Sequence, residues 1–410
     1  MPSSQTFVII GASLAGAKAA ETLRSEGFDG RVVMIGEEPV RPYERPPLSK
    51  EYLRGEKGFD DAAVHSAGFY EEHEIEVLQP VLATALDVKQ REVALSSGER
   101  IGYDRLLLTT GSAPRRLDVP GADLPGVRYL RTVADSDGLR QALEGNPQVV
   151  VIGAGWIGSE VAASARQLGA RVSIVEVASA PLERVLGPEV GAIYRDLHAD
   201  HGVELHLGVG VEAITGSGAV EEVLLTDGTA VPAQLVVIGI GVVPREELAE
   251  AAGLRVADGV AVDEHLQTSD PNIYAAGDVA SAFHPRYGSP IRLEHWSAAL
   301  NQGPAAARNM LGITTVYDRT PYFFSDQYDL GMEYRGWAPT FDEVVFRGDP
   351  SGGEFIAFWL DEGRVVAAMN ANVWDAGDAI EALLAADRRL DPSRLTDPEA
   401  DLNDLAGSGD

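Results

Sequence analysis

Short apolar runs that stop at glycine alternate with alanine-rich stretches of helical spacing over the first two thirds of the chain. "TFVIIGASLAGAKAAETLRSEG" reads as a buried strand, a glycine turn at Gly11 and a helix; "RVVMIGEE" reads as a second strand closing on Glu37 and Glu38. The first of these acids lies 26 residues beyond Gly11, near the spacing at which a carboxylate meets ribose hydroxyls. The plan returns in "QVVVIGAGWIGSEVAASARQLG" and "RVSIVEV", with Glu176 placed 23 residues after Gly153. Two further apolar strands, "RLLLTTGSAPR" and "LVVIGIGVVPR", each end in Gly-x-x-Pro-Arg, at Gly111 and Gly241. They follow their fingerprints by 100 and 88 residues. One glycine fingerprint is weak evidence, but two framed by the same elements in the same order predict a duplicated dinucleotide-binding domain.

Beyond the second half, "QTSDPNIYAAGDVAS" predicts a turn at Asp270-Pro271 and a short strand running to Gly277 and Asp278. A carboxylate at such a strand end suits a polyol or ribose, and an Asx turn serves it equally well. "RLEHWSAALNQGPAAARNML" predicts a helix in which Pro304 is a kink or an irregular turn. From Pro321 onward, "YFFSDQYDLGMEYRGW" and "FIAFWLDEGRVVAAMNAN" alternate apolar and polar positions, the pattern of an antiparallel sheet. The tail "LDPSRLTDPEADLNDLAGSGD" is acidic and is expected to be loosely ordered beyond its first turns.

Composition narrows the chemistry. A chain of 410 residues has room for two or three cores. Its formal charge of −30 argues against nucleic acid and anionic membranes as partners. The longest apolar stretch, "LVVIGIGVV", stops at Pro244, short of a membrane span, and no basic residue precedes the first apolar run as in a signal peptide. The expectation is a cytoplasmic protein. There is no cysteine, hence no disulfide, no thiolate nucleophile and no Cys-ligated zinc or iron–sulfur cluster. Redox work in such a chain falls to a bound organic cofactor, with any metal on a partner, and no metal site is expected.

Several positions in the fingerprints call for explanation. The first replaces its middle glycine with Ser13, where the backbone approaches a pyrophosphate. The second, "IGAGWIGSE", places Glu160 near a helix start built to hold negative charge; a first-turn acid also simply complements the helix dipole. Trp156 is an aromatic that the motif does not require, suited to covering a flat ring or to core packing. In "ERPPLSKEYL", two prolines stiffen the backbone before Lys50, which is otherwise an ordinary surface lysine.

The series of first fingerprint, "RPPLSK", "TTGSAPR", second fingerprint, "AAGD" and "YFFSDQY" resembles the FAD-dependent ferredoxin reductases of bacterial oxygenase systems, the putidaredoxin reductase and biphenyl-dioxygenase ferredoxin reductase type, over residues 5–375. The resemblance implies a glutathione-reductase-like α/β fold with two Rossmann-like dinucleotide-binding domains and a C-terminal α+β interface domain. The FAD domain would span 1–112 and 244–318, the NAD domain 113–243 and the interface domain 319–410. It assigns FAD to Gly11, Ser13, Ala15 and Gly16, with Glu37 on the adenosine ribose and Ala83 near the adenine. Arg45 and Lys50 would lie near the flavin, Arg131 near the junction of the nucleotide domains, Asp278 on the ribityl chain and Trp296 at the pyrimidine end. NAD(H) falls to Gly153, Gly155, Ile157, Gly158, Glu176, Arg184 and Gly241.

By the same resemblance, Lys50 sits at the flavin N5 edge facing Glu160, so this acid points away from the pyrophosphate, and Trp156 covers the flavin until nicotinamide displaces it. These three are the catalytic candidates. The implied activity takes electrons from NADH through FAD to a small iron–sulfur ferredoxin, with Arg292 and Phe324 as docking candidates and a monomer or homodimer as the unit. Phe324 stands where the family often has tryptophan, and the tail lacks a further basic docking residue. Two alternatives share the flavin edge: a flavin reductase of a small organic radical or quinone, and an NADH-sensing interaction flavoprotein. Absence of cysteine strikes out the dithiol reductases of the same superfold.

Overall fold

The first apolar run has no polar face and is too short for a buried helix; it forms the strand Thr6–Ile10, in which Val8 and Ile9 are wholly buried. In the computed structural model, which describes residues 5–407, this strand is central in a five-stranded parallel sheet. The order is Ile273–Ala275, Arg105–Leu108, Thr6–Ile10, Arg31–Ile35 and Ile75–Leu78. Ile10 lies opposite both Ile35 and Leu108, so three strands finish level and deliver Gly11, Gly36 and Thr109 to one edge.

The second fingerprint repeats this. Its sheet runs Glu204–Leu207, Arg171–Glu176, Gln148–Ile152, Leu235–Ile238 and Val127–Arg128, all parallel, with Ile152 opposite Val175 and Ile238. In each half a three-stranded antiparallel meander intervenes before the strand that returns beside the fingerprint strand. The two meanders are Ala83–Asp87, Glu92–Leu95, Arg100–Gly102 and Val211–Thr215, Glu222–Leu225, Ala230–Pro232.

Packing divides the chain into two units. One comprises Met1–Arg45, Gly58–Ala113 and Val242–Arg319; the other comprises Pro46–Lys57, Pro114–Gly241 and Thr320–Asp410. Two features account for the composition of the second unit. The C-terminal sheet shares a core with the helix Glu183–Asp200, where Leu186, Val190 and Tyr194 pack with Met332 and Trp359. The segment Pro46–Lys57 joins the second unit because Leu53 is buried among Leu139, Val161 and Ala165, while Ser136 Oγ donates to the Leu48 carbonyl at 2.8 Å.

The alternating pattern beyond Pro321 forms a five-stranded antiparallel sheet ordered Tyr322–Gln327, Leu330–Gly336, Arg364–Ala371, Glu354–Asp361, Glu343–Asp349. The expectation of a loose tail is corrected. Asp391 caps the helix Pro392–Thr396, and Leu395, Leu402 and Leu405 are buried with Ile380 and Leu383 in a core shared with Ile356 and Phe358 of the sheet. Leu395 lies on that helix, and Leu402 and Leu405, three residues apart, share one side of the next, Leu402–Gly407, which the net composition hid; the last three residues of the segment lie outside those described. In the first unit, Pro304 ends nothing: the helix Trp296–Met310 continues through it. Its Gly303 packs against the helix Leu14–Ser25 so closely that an added Cβ would lie 2.3 Å from the Ala15 carbonyl oxygen.

Trp359 ties the C-terminal sheet to the long helix: it has no exposed surface and its indole N–H donates to the Leu186 carbonyl at 3.0 Å. Trp359→Ala is expected to lower stability by about 3–5 kcal/mol through the cavity it leaves. Trp359→Phe should cost about 1–2 kcal/mol by stranding the carbonyl. Urea unfolding followed by circular dichroism checks both, and a wild-type midpoint for the Phe variant would show that the indole hydrogen bond contributes nothing.

Candidate active site

Each fingerprint builds a cradle from backbone alone. Gly11 has φ of +123°, and an added Cβ would lie 2.1 Å from the Thr109 carbonyl oxygen; at Gly153, with φ of +94°, it would lie 2.5 Å from that of Gly239. Gly16 and Gly158 close the turns in the same way, with added Cβ atoms 2.1 and 2.0 Å from the carbonyl oxygens of Gly11 and Gly153. The Gly11 N–H donates to Ile35 and the Gly153 N–H to Val175, each at 2.8 Å. Side chains are therefore excluded where the chain must pass close to a bound group.

The helices that follow leave their positive ends open. Those starting at Leu14, Trp156 and Trp296 have no acid in the first turn, and their N-caps, Ser13, Gly155 and His295, make no side-chain capping bond. Such ends attract anionic groups. Glu160 is the fifth residue of its helix, so the reading of it as a first-turn acid is corrected.

In the first unit, a cavity of about 420 Å³ opens at the sheet edge, lined by Gly11, Ser13, Glu37, Glu38, Arg45, Ala83 and Arg245 among others. Ala15, on the helix that follows Ser13, is buried. Glu37 pairs with Arg245 at 2.6 Å, and Arg45 donates to Glu38 at 2.9 Å and to the Tyr43 hydroxyl at 3.0 Å. Asp278, half-buried, accepts a hydrogen bond from Ser112 Oγ at 2.7 Å, and the preceding Gly277 N–H donates to Gln302. Trp296 is the first residue of its helix. A cavity of this size at a glycine cradle, lined by the carboxylates Glu37 and Glu38 that can accept from hydroxyl groups, fits an adenine dinucleotide such as FAD.

In the second unit, Glu176 ends its strand with both oxygens held: Oε2 accepts from the Ala154 N–H at 2.7 Å and Oε1 from the Ala178 N–H at 2.9 Å. Gly155 caps the helix, Ile157 is 44% exposed on its first turn, and Gly241 has φ of +99° with open space beside it. Arg184 is exposed near the start of the helix Glu183–Asp200. Arg131 donates its backbone N–H to Asp135, in the capping box that starts the helix Val133–Ala142.

The same unit holds the ion pair. Lys50 Nζ lies 2.9 Å from Glu160 Oε2, with 5% and 4% of the two side chains exposed. Ser49 Oγ also donates to Oε2, and Ser325 Oγ donates to Oε1 at 2.8 Å. Lys50 stands over the ring of Phe324, 5.7 Å from its centroid. The negative charge of Glu160 reaches its neighbours: burial chiefly, and then Glu160, push the Tyr194 phenol well up. Asp326 is raised mainly by burial, with Lys50 opposing and Glu160 adding. Trp156 is half-buried, edge-on to Phe323 at 4.8 Å and to Tyr194 at 6.3 Å.

Arg292 is set differently from its expected role as a docking charge. Only 12% of its side chain is exposed, and its guanidinium pairs with both Asp258 and Glu294, which cancel its charge. Sequence reasoning also passed over three participants. Arg245 is the arginine of the second Gly-x-x-Pro-Arg, so the repeat itself marked it. Ser49 and Ser325 carried no signal beyond lying inside "RPPLSK" and "YFFSDQY".

Comparison with known proteins agrees with this geometry. Residues 5–303 match the model described as pyridine nucleotide-disulphide oxidoreductase, and residues 322–406 the one described as reductase C-terminal. The chain is 40% identical over 404 residues to the ferredoxin–NAD(+) reductase component of the anthranilate 1,2-dioxygenase system of Burkholderia cepacia, covering 98% of this chain and 99% of that one. The crystal structure of the ferredoxin reductase for the CYP199A2 system of Rhodopseudomonas palustris superposes with a TM-score of 0.95 at 38% identity, covering 98% of this chain and all of that one (100%). The covalent putidaredoxin reductase–putidaredoxin complex matches with a TM-score of 0.94 at 35% identity, over 98% of each chain. The chain belongs to the pyridine nucleotide-disulphide oxidoreductase family, among its ferredoxin reductases.

Proposed function

We propose that this chain passes electrons from NADH through FAD to a small iron–sulfur ferredoxin that supplies an oxygenase. The observation that carries the reading is the pair of matched glycine cradles in a chain with no cysteine of its own. Bound FAD would supply the conversion of an electron pair into single electrons. In balance, one NADH and two oxidised ferredoxins give NAD⁺, two reduced ferredoxins and one proton.

The residues have separable tasks. Gly11 and Gly16, with the open helix end after Ser13, hold the FAD pyrophosphate; Glu37 meets the adenosine ribose, and Asp278, oriented by Ser112, the ribityl chain. Gly153, Gly155 and Gly158 do the same for NADH, whose adenosine ribose meets Glu176. Lys50 and Glu160 place a fixed, internally neutral pair of charges that serves hydride acceptance. Dependence on NADH fits the cytoplasm, and among the described residues no helix is long and apolar enough to cross a membrane.

Three outcomes are expected. Purified protein should be yellow and release FAD on denaturation, and NADH-driven cytochrome c reduction should depend on added ferredoxin; rapid turnover without any iron–sulfur protein would favour a quinone or radical reductase. Because both Glu176 oxygens are pinned by backbone N–H groups, the carboxylate cannot swing aside for a 2′-phosphate. NADH should therefore be preferred over NADPH by more than about tenfold in kcat/KM, and Glu176→Ala should narrow the ratio. Equal use of both coenzymes by the wild type would refute this.

The ion pair gives the third. Removing one member of a buried pair costs about 3–5 kcal/mol because the other charge is stranded. Glu160→Ala and Lys50→Ala should each slow flavin reduction in stopped flow with FAD still bound, and the double variant should lose less than the two effects combined. Strict additivity would mean that the two residues are not partners in the hydride step.

A further inference from the structure

Resting on that reading of the ion pair, we infer that Ser325 is a positioning residue for Glu160, held by a directional hydrogen-bonded string that runs through Gln327 to His198. The strand Tyr322–Gln327 turns Phe323, Ser325 and Gln327 inward, and the two polar members are each only 1% exposed. A strand that served packing alone would carry apolar residues there, since buried polar groups cost stability unless they are satisfied. These two are satisfied in series. Ser325 Oγ donates to Glu160 Oε1 at 2.8 Å, Gln327 Nε2 donates to Ser325 Oγ at 3.4 Å, and His198 Nε2 meets Gln327 Oε1 at 3.0 Å.

The carboxylate sets the direction of every link. Paired with Lys50, it can only accept, so the Ser325 hydroxyl hydrogen is committed to it. That oxygen must then accept from the Gln327 amide nitrogen, which leaves the amide oxygen facing His198. His198 is fully buried and uncharged, its imidazole pushed down to about 4 by burial with the Gln327 bond opposing. It therefore carries its hydrogen on Nε2, and Nδ1 accepts from the Tyr328 hydroxyl at 3.3 Å. Tyr328 is in turn stacked on His201 at 3.7 Å between ring centroids. The other titratable groups that face Glu160 are Asp326 on the same strand and Tyr194 on the long helix; neither donates to it. Among the described residues, Ser325 is thus the donor to Oε1, while Ser49 and Lys50 share Oε2. Without it, the carboxylate would be free to rotate about its bond toward the lysine, and the charge would move with it.

The test uses the holoprotein and two readouts. Nitrogen NMR of histidine-labelled wild type should show His198 as the Nε2–H tautomer, and Ser325→Ala, which frees the Gln327 amide to turn, should mix the tautomers. In stopped flow, Ser325→Ala should slow flavin reduction by NADH about tenfold, the effect of losing one charge-assisted hydrogen bond, with the NADH dissociation constant unchanged. Ser325→Thr keeps the hydroxyl and should restore both. An Nδ1–H tautomer in the wild type overturns the string without any variant. So does a wild-type rate in Ser325→Ala when Glu160→Ala is slow. A wild-type rate in Glu160→Ala itself would remove the ion pair from the hydride step, and the positioning role of Ser325 with it.

Discussion

The buried contact between Lys50 and Glu160 is the constraint on which the second unit is organised. Neither side chain has more than 5% of its surface exposed. An unpaired charge in that setting would cost several kcal/mol, so each residue requires the other to be delivered accurately. Delivery explains the path of the chain. Pro46 and Pro47 stiffen a single 3₁₀ turn, Pro46–Ser49, that presents Ser49 and Lys50 together, and Leu53 buries the far end of the segment among the helices of the second unit. On the other side, Glu160 lies one turn into its helix, beyond the positive end that the glycines keep open. The same helix thus offers its N-terminus to an anion and its second turn to a lysine, and the two demands do not compete.

The duplicated cradles were legible because their requirements are steric and local. Gly11 and Gly153 combine a positive φ with a carbonyl 2.1 and 2.5 Å from where Cβ would stand, and Gly16 and Gly158 meet one at 2.1 and 2.0 Å, so only glycine fits and all four could be read from spacing. The alternation of strand and helix in each half was equally legible, since continuous apolar runs flanked by helical stretches predict a buried parallel sheet. The alternating pattern after Pro321 gave the antiparallel sheet for the same reason.

What was hidden depends on contacts between distant residues. The grouping of the C-terminal sheet with the inserted nucleotide-binding half rests on Trp359 reaching Leu186, 173 residues away in sequence, and no local pattern encodes that. Ser49 and Ser325 look like ordinary loop and strand serines until Glu160 comes between them. Arg292 shows the converse. The family resemblance cast it as a docking charge, but Asp258, distant in sequence, and Glu294, two residues on, both pair with it. The tail misled for another reason. Averaged composition counts its acids, whereas folding depends on where Leu395, Leu402 and Leu405 fall.

A chain with a formal charge of −30 that is to hold two anionic dinucleotides must localise positive potential where they bind. In the cavity of the first unit, both arginines are already matched, Arg45 to Glu38 and Arg245 to Glu37. The remaining source is the backbone. Three helices begin with uncapped N–H groups and no acid in the first turn, and two of them are preceded by glycines that let a phosphate approach. Partial charges of this kind are fixed by the fold and carry no counter-ion, so they act at contact distance and leave the acidic surface elsewhere unchanged. The matched arginines then orient instead of attracting: Arg245 holds Glu37 and Arg45 holds Glu38 in the lining of the cavity, where carboxylates can accept from hydroxyl groups.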